Sequence, residues 1–230
     1  MKHKIFVYLQ RFFELHSNSV LISYQNKAFL INLIKSIGRE VRFLVSTHKA
    51  VYIYIAAKNT QKVPGDVAEI GCYQGGSTKL IAEALGRRSF YVFDTFEGNP
   101  ASTPPDGSTR WCKGDYGNAS YESVKKYLRA YPNIHVYKGV FPATGGGAIE
   151  DKIFSFVHLH VDLYQSTKDC LEFFYPRMNA GAILISHDYV AHEGVRRAFD
   201  EFFSDKPEPL MELGNALVFF TKIWNIKVEP

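Results

Sequence analysis

The sequence predicts a doubly wound, mostly parallel α/β sheet preceded by an N-terminal helical segment. Three observations carry that prediction. From residue 61 onward, short apolar runs alternate with stretches of helical period. The runs are apolar throughout rather than alternately polar, which is how strands buried on both faces of a parallel sheet read. Three of them end in an acid, at Asp94, Asp162 and Asp188, on the carboxyl edge where ligands bind in such sheets.

The elements follow in chain order. Phe6, Leu9 and Phe13 suggest a first helix, and Leu30, Leu33, Ile34, Ile37, Val41 and Leu44 repeat at spacings of three, four and seven. Val51, Tyr54, Ile55 and Lys58 suggest another helix. Residues 1–60 therefore read as a helical cap or interface segment, and residues 61–230 as the ligand-binding domain. Pro64-Gly65 marks the change of pattern. Val67–Ile70 is the first strand, closed by glycines and followed by a helix about Leu80, Ile81, Ala84 and Leu85. Residues 90–93 form the second strand, residues 133–137 the third and residues 154–161 the fourth. Residues 182–185 make the fifth, which ends at His187-Asp188. A helix with Val195, Ala198, Phe199 and Phe202 comes next, and Leu217–Phe220 is the last strand. No internal repeat or low-complexity segment interrupts this order.

Composition excludes several classes of function. A net charge of +4 with scattered basic residues gives no stripe for nucleic acid. Cys72, Cys112 and Cys170 are odd in number and lack CxxC spacing, which argues against a disulfide framework and for a reducing, cytoplasmic setting. Arg11 and Glu14 interrupt the early apolar residues, so neither a signal-peptide core nor a membrane span is expected.

The stretch Glu69-Ile70-Gly71-Cys72-Tyr73-Gln74-Gly75-Gly76-Ser77 sits at the first strand-to-helix turn. Gly71 allows a sharp turn, and Gly75 and Gly76 would let a ligand approach the backbone and the helix amino terminus. A tight turn with no ligand fits the glycines equally well. Asp94 adds weight, because it lies 25 residues beyond Glu69, near the offset at which an acid grips ribose hydroxyls in dinucleotide folds. An ionised carboxylate can accept from both hydroxyls of a diol, so turn and acid together indicate an adenosine-containing cofactor. Counting from Gly71, the middle glycine of GxGxxG would fall at Tyr73. Glu69 beside the ligand would repel a pyrophosphate and attract an ammonium. S-adenosylmethionine is therefore preferred, with NAD as runner-up.

Several ordered motifs resemble the macrocin and mycinamicin O-methyltransferase family: residues 65–71 with Gly75-Gly76, Phe93-Asp94-Thr95-Phe96-Glu97-Gly98, Val161-Asp162-Leu163-Tyr164-Gln165-Ser166-Thr167, Phe174-Tyr175-Pro176 and His187-Asp188-Tyr189. The similarity covers roughly residues 50–205. It implies a Rossmann-like methyltransferase domain, S-adenosylmethionine as donor, often a sugar hydroxyl of a natural product as acceptor, and usually Mg²⁺. Carried over by position, Glu69, Gly71 and Asp94 would bind the donor, with the turn residues Gly75, Gly76 and Ser77 beside it. Gly139 and Val140 would lie near the adenine. Asp162 and Asp188, with His187, would be metal ligands and catalytic groups. Relatives suggest a dimer or larger, with the amino-terminal helices as interface.

This chain departs from the family pattern twice, with His160 before Val161-Asp162 and His187 before Asp188-Tyr189, where acids are expected. Mg²⁺ prefers oxygen ligands, whereas imidazole suits Mn²⁺, Fe²⁺ or Zn²⁺. The divalent ion thus stays open between Mg²⁺ and Mn²⁺, and a metal-free enzyme with His187 as general base is an alternative. A protein that binds the donor without turnover is another. His158, His160 and Asp162 alternate and should share a face. For His158 a hydrogen bond within the sheet is the plainer reading, and Asp162 and Asp188 could simply cap helices. The loop from Glu97 to Ala119 is long for a compact domain and is expected to border the acceptor pocket, with Trp111 and Tyr116 available for stacking.

Overall fold

The computed structural model describes residues 27–107, 112–214 and 217–223. The helix expected about Phe6, Leu9 and Phe13, and the side chain of Trp111, lie outside the described residues. Among the described residues two α-helices precede the sheet, α1 (Lys27–Glu40) and α2 (Thr47–Asn59). Leu30, Ile34 and Ile37 form the buried stripe of α1, at the spacing an amphipathic helix needs. The periodicity read from sequence continues to Leu44, yet α1 stops at Glu40 and Leu44 is exposed. Ser46 caps α2, accepting from the Lys49 N–H at 3.4 Å.

The sheet contains β1 (Asp66–Ile70), β2 (Phe90–Asp94), β3 (Ile134–Lys138), β4 (Phe154–Leu159), β5 (Met178–Ser186), β6 (Met211–Leu213) and β7 (Leu217–Thr221). Helices α3 (Gly76–Leu85), α4 (Tyr121–Tyr127), α5 (Tyr164–Phe174) and α6 (Glu193–Phe203) connect them. The strand order is β3-β2-β1-β4-β5-β7-β6. The first five strands pair in parallel, and β7 runs antiparallel to both β5 and β6. Short β6 has no apolar run to announce it, since Met211 and Glu212 are exposed at the sheet's edge. The fourth strand ends at Leu159, two residues before the expected boundary. The His160 N–H still bonds to the Ile70 carbonyl at 2.9 Å, and at Asp162 the backbone turns into the left-handed region with φ 59°.

Strand alternation sorts the core into two layers. Val67, Val92, Phe156 and Ile185 face α1, α2 and α3. Ala68, Phe93, Val157 and Leu184 face a phenylalanine-rich layer with Phe141, Phe174, Phe199 and Phe220. The amino-terminal helices thus share one core with the sheet. No helix among the described residues is long and apolar enough to cross a membrane.

Candidate active site

The cleft opens where β1 and β4 diverge, at the carboxyl edge of the sheet, and has a volume of about 320 Å³. That size lies at the lower end of small-molecule pockets. One side of it comes from the ends of β1, β2 and β3. Gly71 has φ 86°, and a Cβ there would lie 2.0 Å from the His160 carbonyl oxygen, so no side chain can be accommodated between β1 and β4. Asp94 receives the Tyr73 N–H on Oδ2 at 2.7 Å and the Phe96 N–H on Oδ1 at 2.8 Å. Burial raises its pKa, and these backbone N–H groups oppose the rise. Gly139 donates its N–H to the Asp94 carbonyl at 2.9 Å, and exposed Val140 follows it on the cleft wall.

The expected turn residues divide. Gly71, Asp94, Gly139 and Val140 line the cleft, whereas Glu69, Gly75, Gly76 and Ser77 are absent from its wall. Gly76 makes room for Phe43, whose ring would be 2.7 Å from a Cβ at that position. The space beside Gly75 is filled by Tyr127, Val124 and Leu128. Both glycines are closely packed by these side chains. The expectation that Glu69 faces a donor ammonium is likewise corrected. Its side chain points to the α1–α3 side of the sheet and is fully buried. There Oε2 accepts from the Thr78 hydroxyl at 2.5 Å, and Oε1 lies 2.8 Å from His158 Nδ1.

The opposite side of the cleft is built of titratable side chains. His160, Asp162 and Asp188 bring ligand atoms within 4.8 Å of one another. His160 Nε2 lies 3.4 Å from Asp188 Oδ2, and Lys49 Nζ lies 3.5 Å from Asp188 Oδ1. Asn99 donates to Asp162 Oδ2 at 3.2 Å. His192 completes the ring, 4.0 Å from Asp188 and 3.1 Å from the Asp162 carbonyl. Burial alone would lower the pKa of His160, but its bond to Asp188 and the charges of Asp188 and Asp162 reverse this and raise it. Burial would raise Asp188, yet His160, His187 and Lys49 hold it well below the usual carboxylate range. Asp162, with less compensation, is raised by burial.

His187 stands apart from this cluster, although the sequence grouped it with the two acids. Its Nδ1 is 3.0 Å from His158 Nε2, its ring stacks on His160 at 4.1 Å, and its Nε2 is buried with no partner among the described residues. Burial, followed by the neighbouring His160 and His158, holds its pKa well below the usual imidazole range. His160 takes the place expected for His187 because it leaves the end of β4 beside Asp162.

Backbone strain concentrates here. Among the described residues, Tyr73, Phe96, Tyr116, Asp162 and Asp188 are the non-glycine residues with positive φ, and all but Phe96 line the cleft. Such conformations cost on the order of 1–3 kcal/mol each and persist where the surroundings hold them. The long loop is held from below by Asp106, whose Oδ1 accepts from the Tyr164 N–H at the start of α5 at 2.6 Å. Sequence reasoning missed Lys49, Asn99, Asp106 and His192. Lys49 is an ordinary helix lysine until the fold brings α2 over the end of β5, while His192 follows Asp188 by four residues and could have been weighed with it.

Residues 49–222 match the family model described as Macrocin-O-methyltransferase (TylF). A tetracenomycin rhamnosyl 4'-O-methyltransferase of Streptomyces olivaceus is 30% identical over 69% of this chain and 66% of its own length. The demethyldecarbamoylnovobiocin O-methyltransferase of Streptomyces niveus is also 30% identical, over 61% of this chain and 58% of its own. The matches therefore span less than two thirds of either relative. The solved O-methyltransferase NovP superposes with a TM-score of 0.70 at 22% identity, covering 86% of this chain and 99% of that one. The O-methyltransferase from Bacillus cereus in complex with SAH superposes with a TM-score of 0.57 at 15% identity, covering 91% and 96%.

Proposed function

The chain belongs to the macrocin O-methyltransferase family, and on that premise we propose that it transfers a methyl group from S-adenosylmethionine to a hydroxyl of a sugar carried by a small natural product. The single observation that supports this most is the convergence of His160, Asp162 and Asp188 on the wall facing Asp94 and Gly71 in one cleft. The cofactor-facing side suits an adenosyl group. Each Asp94 oxygen holds one backbone N–H and keeps a lone pair for a ribose hydroxyl, while Gly139 and Val140 leave an open wall for the adenine. The sulfonium would then point toward the ends of β4 and β5.

The family also implies a divalent ion, and the donor chemistry fits one. Two carboxylates and an imidazole suit an ion such as Mn²⁺ better than Mg²⁺, with His160, Asp162 and Asp188 as the residues to hold it. When bound, such an ion lowers the pKa of an acceptor hydroxyl and fixes its direction. Asn99 and His192 keep Asp162 in place, Lys49 offsets the charge of Asp188, and Tyr73 and Tyr116 at the entrance narrow the approach. Orientation of the hydroxyl behind the methyl group is the task these residues share. The acceptor class follows the rhamnosyl-bearing substrate in the name of the Streptomyces olivaceus relative.

The test is incubation of the purified protein with methyl-labelled S-adenosylmethionine, Mn²⁺ and a set of rhamnosylated aromatic polyketides, followed by mass spectrometry. Label on a sugar hydroxyl of at least one acceptor is expected, and it should vanish in Asp162→Ala. Calorimetry that finds no binding of S-adenosylhomocysteine would sink the reading.

A further inference from the structure

A buried chain of polar side chains crosses three adjacent strands on the α1–α3 face of the sheet. Thr78 on α3 donates to Glu69 on β1. Glu69 lies beside its register partner His158 on β4, and His158 reaches His187 just past the end of β5. Glu69, Thr78 and His158 are fully buried and His187 is 3% exposed. Isolated polar groups at such depth are costly, so a buried chain of this length is expected to have its groups bonded to one another. One atom is not: His187 Nε2, at the end that meets the cleft wall.

The order of donors along the chain follows from its far end. An ionised Glu69 can only accept, so it takes the Thr78 hydroxyl on one oxygen and His158 Nδ1–H on the other. His158 Nε2 is then a lone pair and accepts from His187 Nδ1–H. His187 Nε2 is left as a buried lone pair with no partner among the described residues. Opposite polarity would place an N–H at that atom instead.

We infer that Glu69 and His158 are positioning residues that fix His187 in its Nδ1–H tautomer, so that its Nε2 lone pair accepts the hydrogen bond of the acceptor hydroxyl awaiting methylation. The role of Nε2 toward the acceptor rests on the function proposed above; the tautomer itself does not. A carboxylate behind an imidazole sets ring orientation and tautomer in the same way in many metal sites. This gives Glu69, the acid of the first strand, a task on the acceptor side of the cleft, two strands from where the sequence placed it.

Imidazole nitrogen NMR on ¹⁵N-histidine-labelled wild-type protein with S-adenosylhomocysteine bound reads the tautomer without any variant. The expected spectrum shows His187 with a protonated Nδ1 and a bare Nε2, and the Nε2 signal moves when methyl α-L-rhamnoside is added. A proton on Nε2 in the free protein, or an Nε2 signal indifferent to the glycoside, would overturn the inference. Glu69→Gln should populate both tautomers and lower kcat roughly 10–100-fold, the range for partners behind an active group, with donor affinity unchanged by calorimetry. An unchanged kcat in a folded Glu69→Gln protein also overturns it. If the wild type binds the donor and shows the expected tautomer and shift yet methylates nothing, the failure lies with the proposed reaction and not with the chain of bonds.

Discussion

The two walls of the cleft are made in different ways. At the ends of β1, β2 and β3, backbone geometry does the work: Gly71 fits where no side chain can, Gly139 hangs from the Asp94 carbonyl, and Asp94 is held by two N–H groups. At the ends of β4 and β5, the work falls to side chains gathered from four places, with Lys49 from α2, His160 and Asp162 after β4, Asp188 after β5 and His192 before α6. A wall made of backbone tolerates little change in shape. A wall made of side chains can change its chemistry by single substitutions.

Four measurements sharpen that contrast. The largest effect is expected from Gly71→Ala, which sets a methyl group 2.0 Å from a carbonyl oxygen at a positive φ. Chemical denaturation should show a loss of about 3 kcal/mol or more, and a near-native midpoint would mean the turn is softer than its geometry says. Next, Asp94→Ala removes the two charge-assisted bonds proposed to the ribose and should weaken S-adenosylhomocysteine about 100-fold by calorimetry, taking each such bond at the lower end of its range, about 1.5 kcal/mol. On the other wall, His160→Asp restores an all-oxygen donor set. Titrations of Mn²⁺ and Mg²⁺ should then show the preference for Mn²⁺ falling by about tenfold without loss of fold, whereas an unchanged ratio would remove His160 from the ligand set.

The smallest expected effect is in stability against pH, measured in EDTA. His160 has a raised folded pKa, so its contribution is complete below about pH 6.5 and is lost as pH rises through the raised value. His187 has a lowered folded pKa; below about 6.5 the unfolded chain binds the extra proton, so stability falls as the solution is acidified. A shallow maximum near pH 6.5 is expected. His160→Asn should flatten mainly its alkaline arm and relieve the acid arm less, since burial is the larger cause at His187; symmetric flattening would show that the two imidazoles titrate as one unit.

Strand content was legible because a parallel sheet buries both faces and leaves unbroken apolar runs such as Phe90–Phe93 and Ala182–Ile185. Strand ends were legible through glycines and acids. The same double burial hid which way Glu69 points, since period-two alternation gives no polar side to count against. It also hid the antiparallel course of β7, which no residue type announces. His158 read correctly as a histidine bonded within the sheet, but its partners Glu69 and His187 are separated from it by 89 and 29 residues. Lys49 was out of reach for a simpler reason: its role is set by how α2 docks, a property of the whole core.

Lys49 has one more consequence, which concerns where this protein can be cut. The match to the family begins at residue 49, yet the first turn of α2 is capped by Ser46, and α1 covers the same core layer through Leu30 and Ile37. A recombinant fragment trimmed to the matched region would keep the lysine and lose what aims it. In chimeras between relatives, the useful crossover therefore lies ahead of α1, and a graft made at the strand boundary would exchange the partner of Asp188 together with the scaffold.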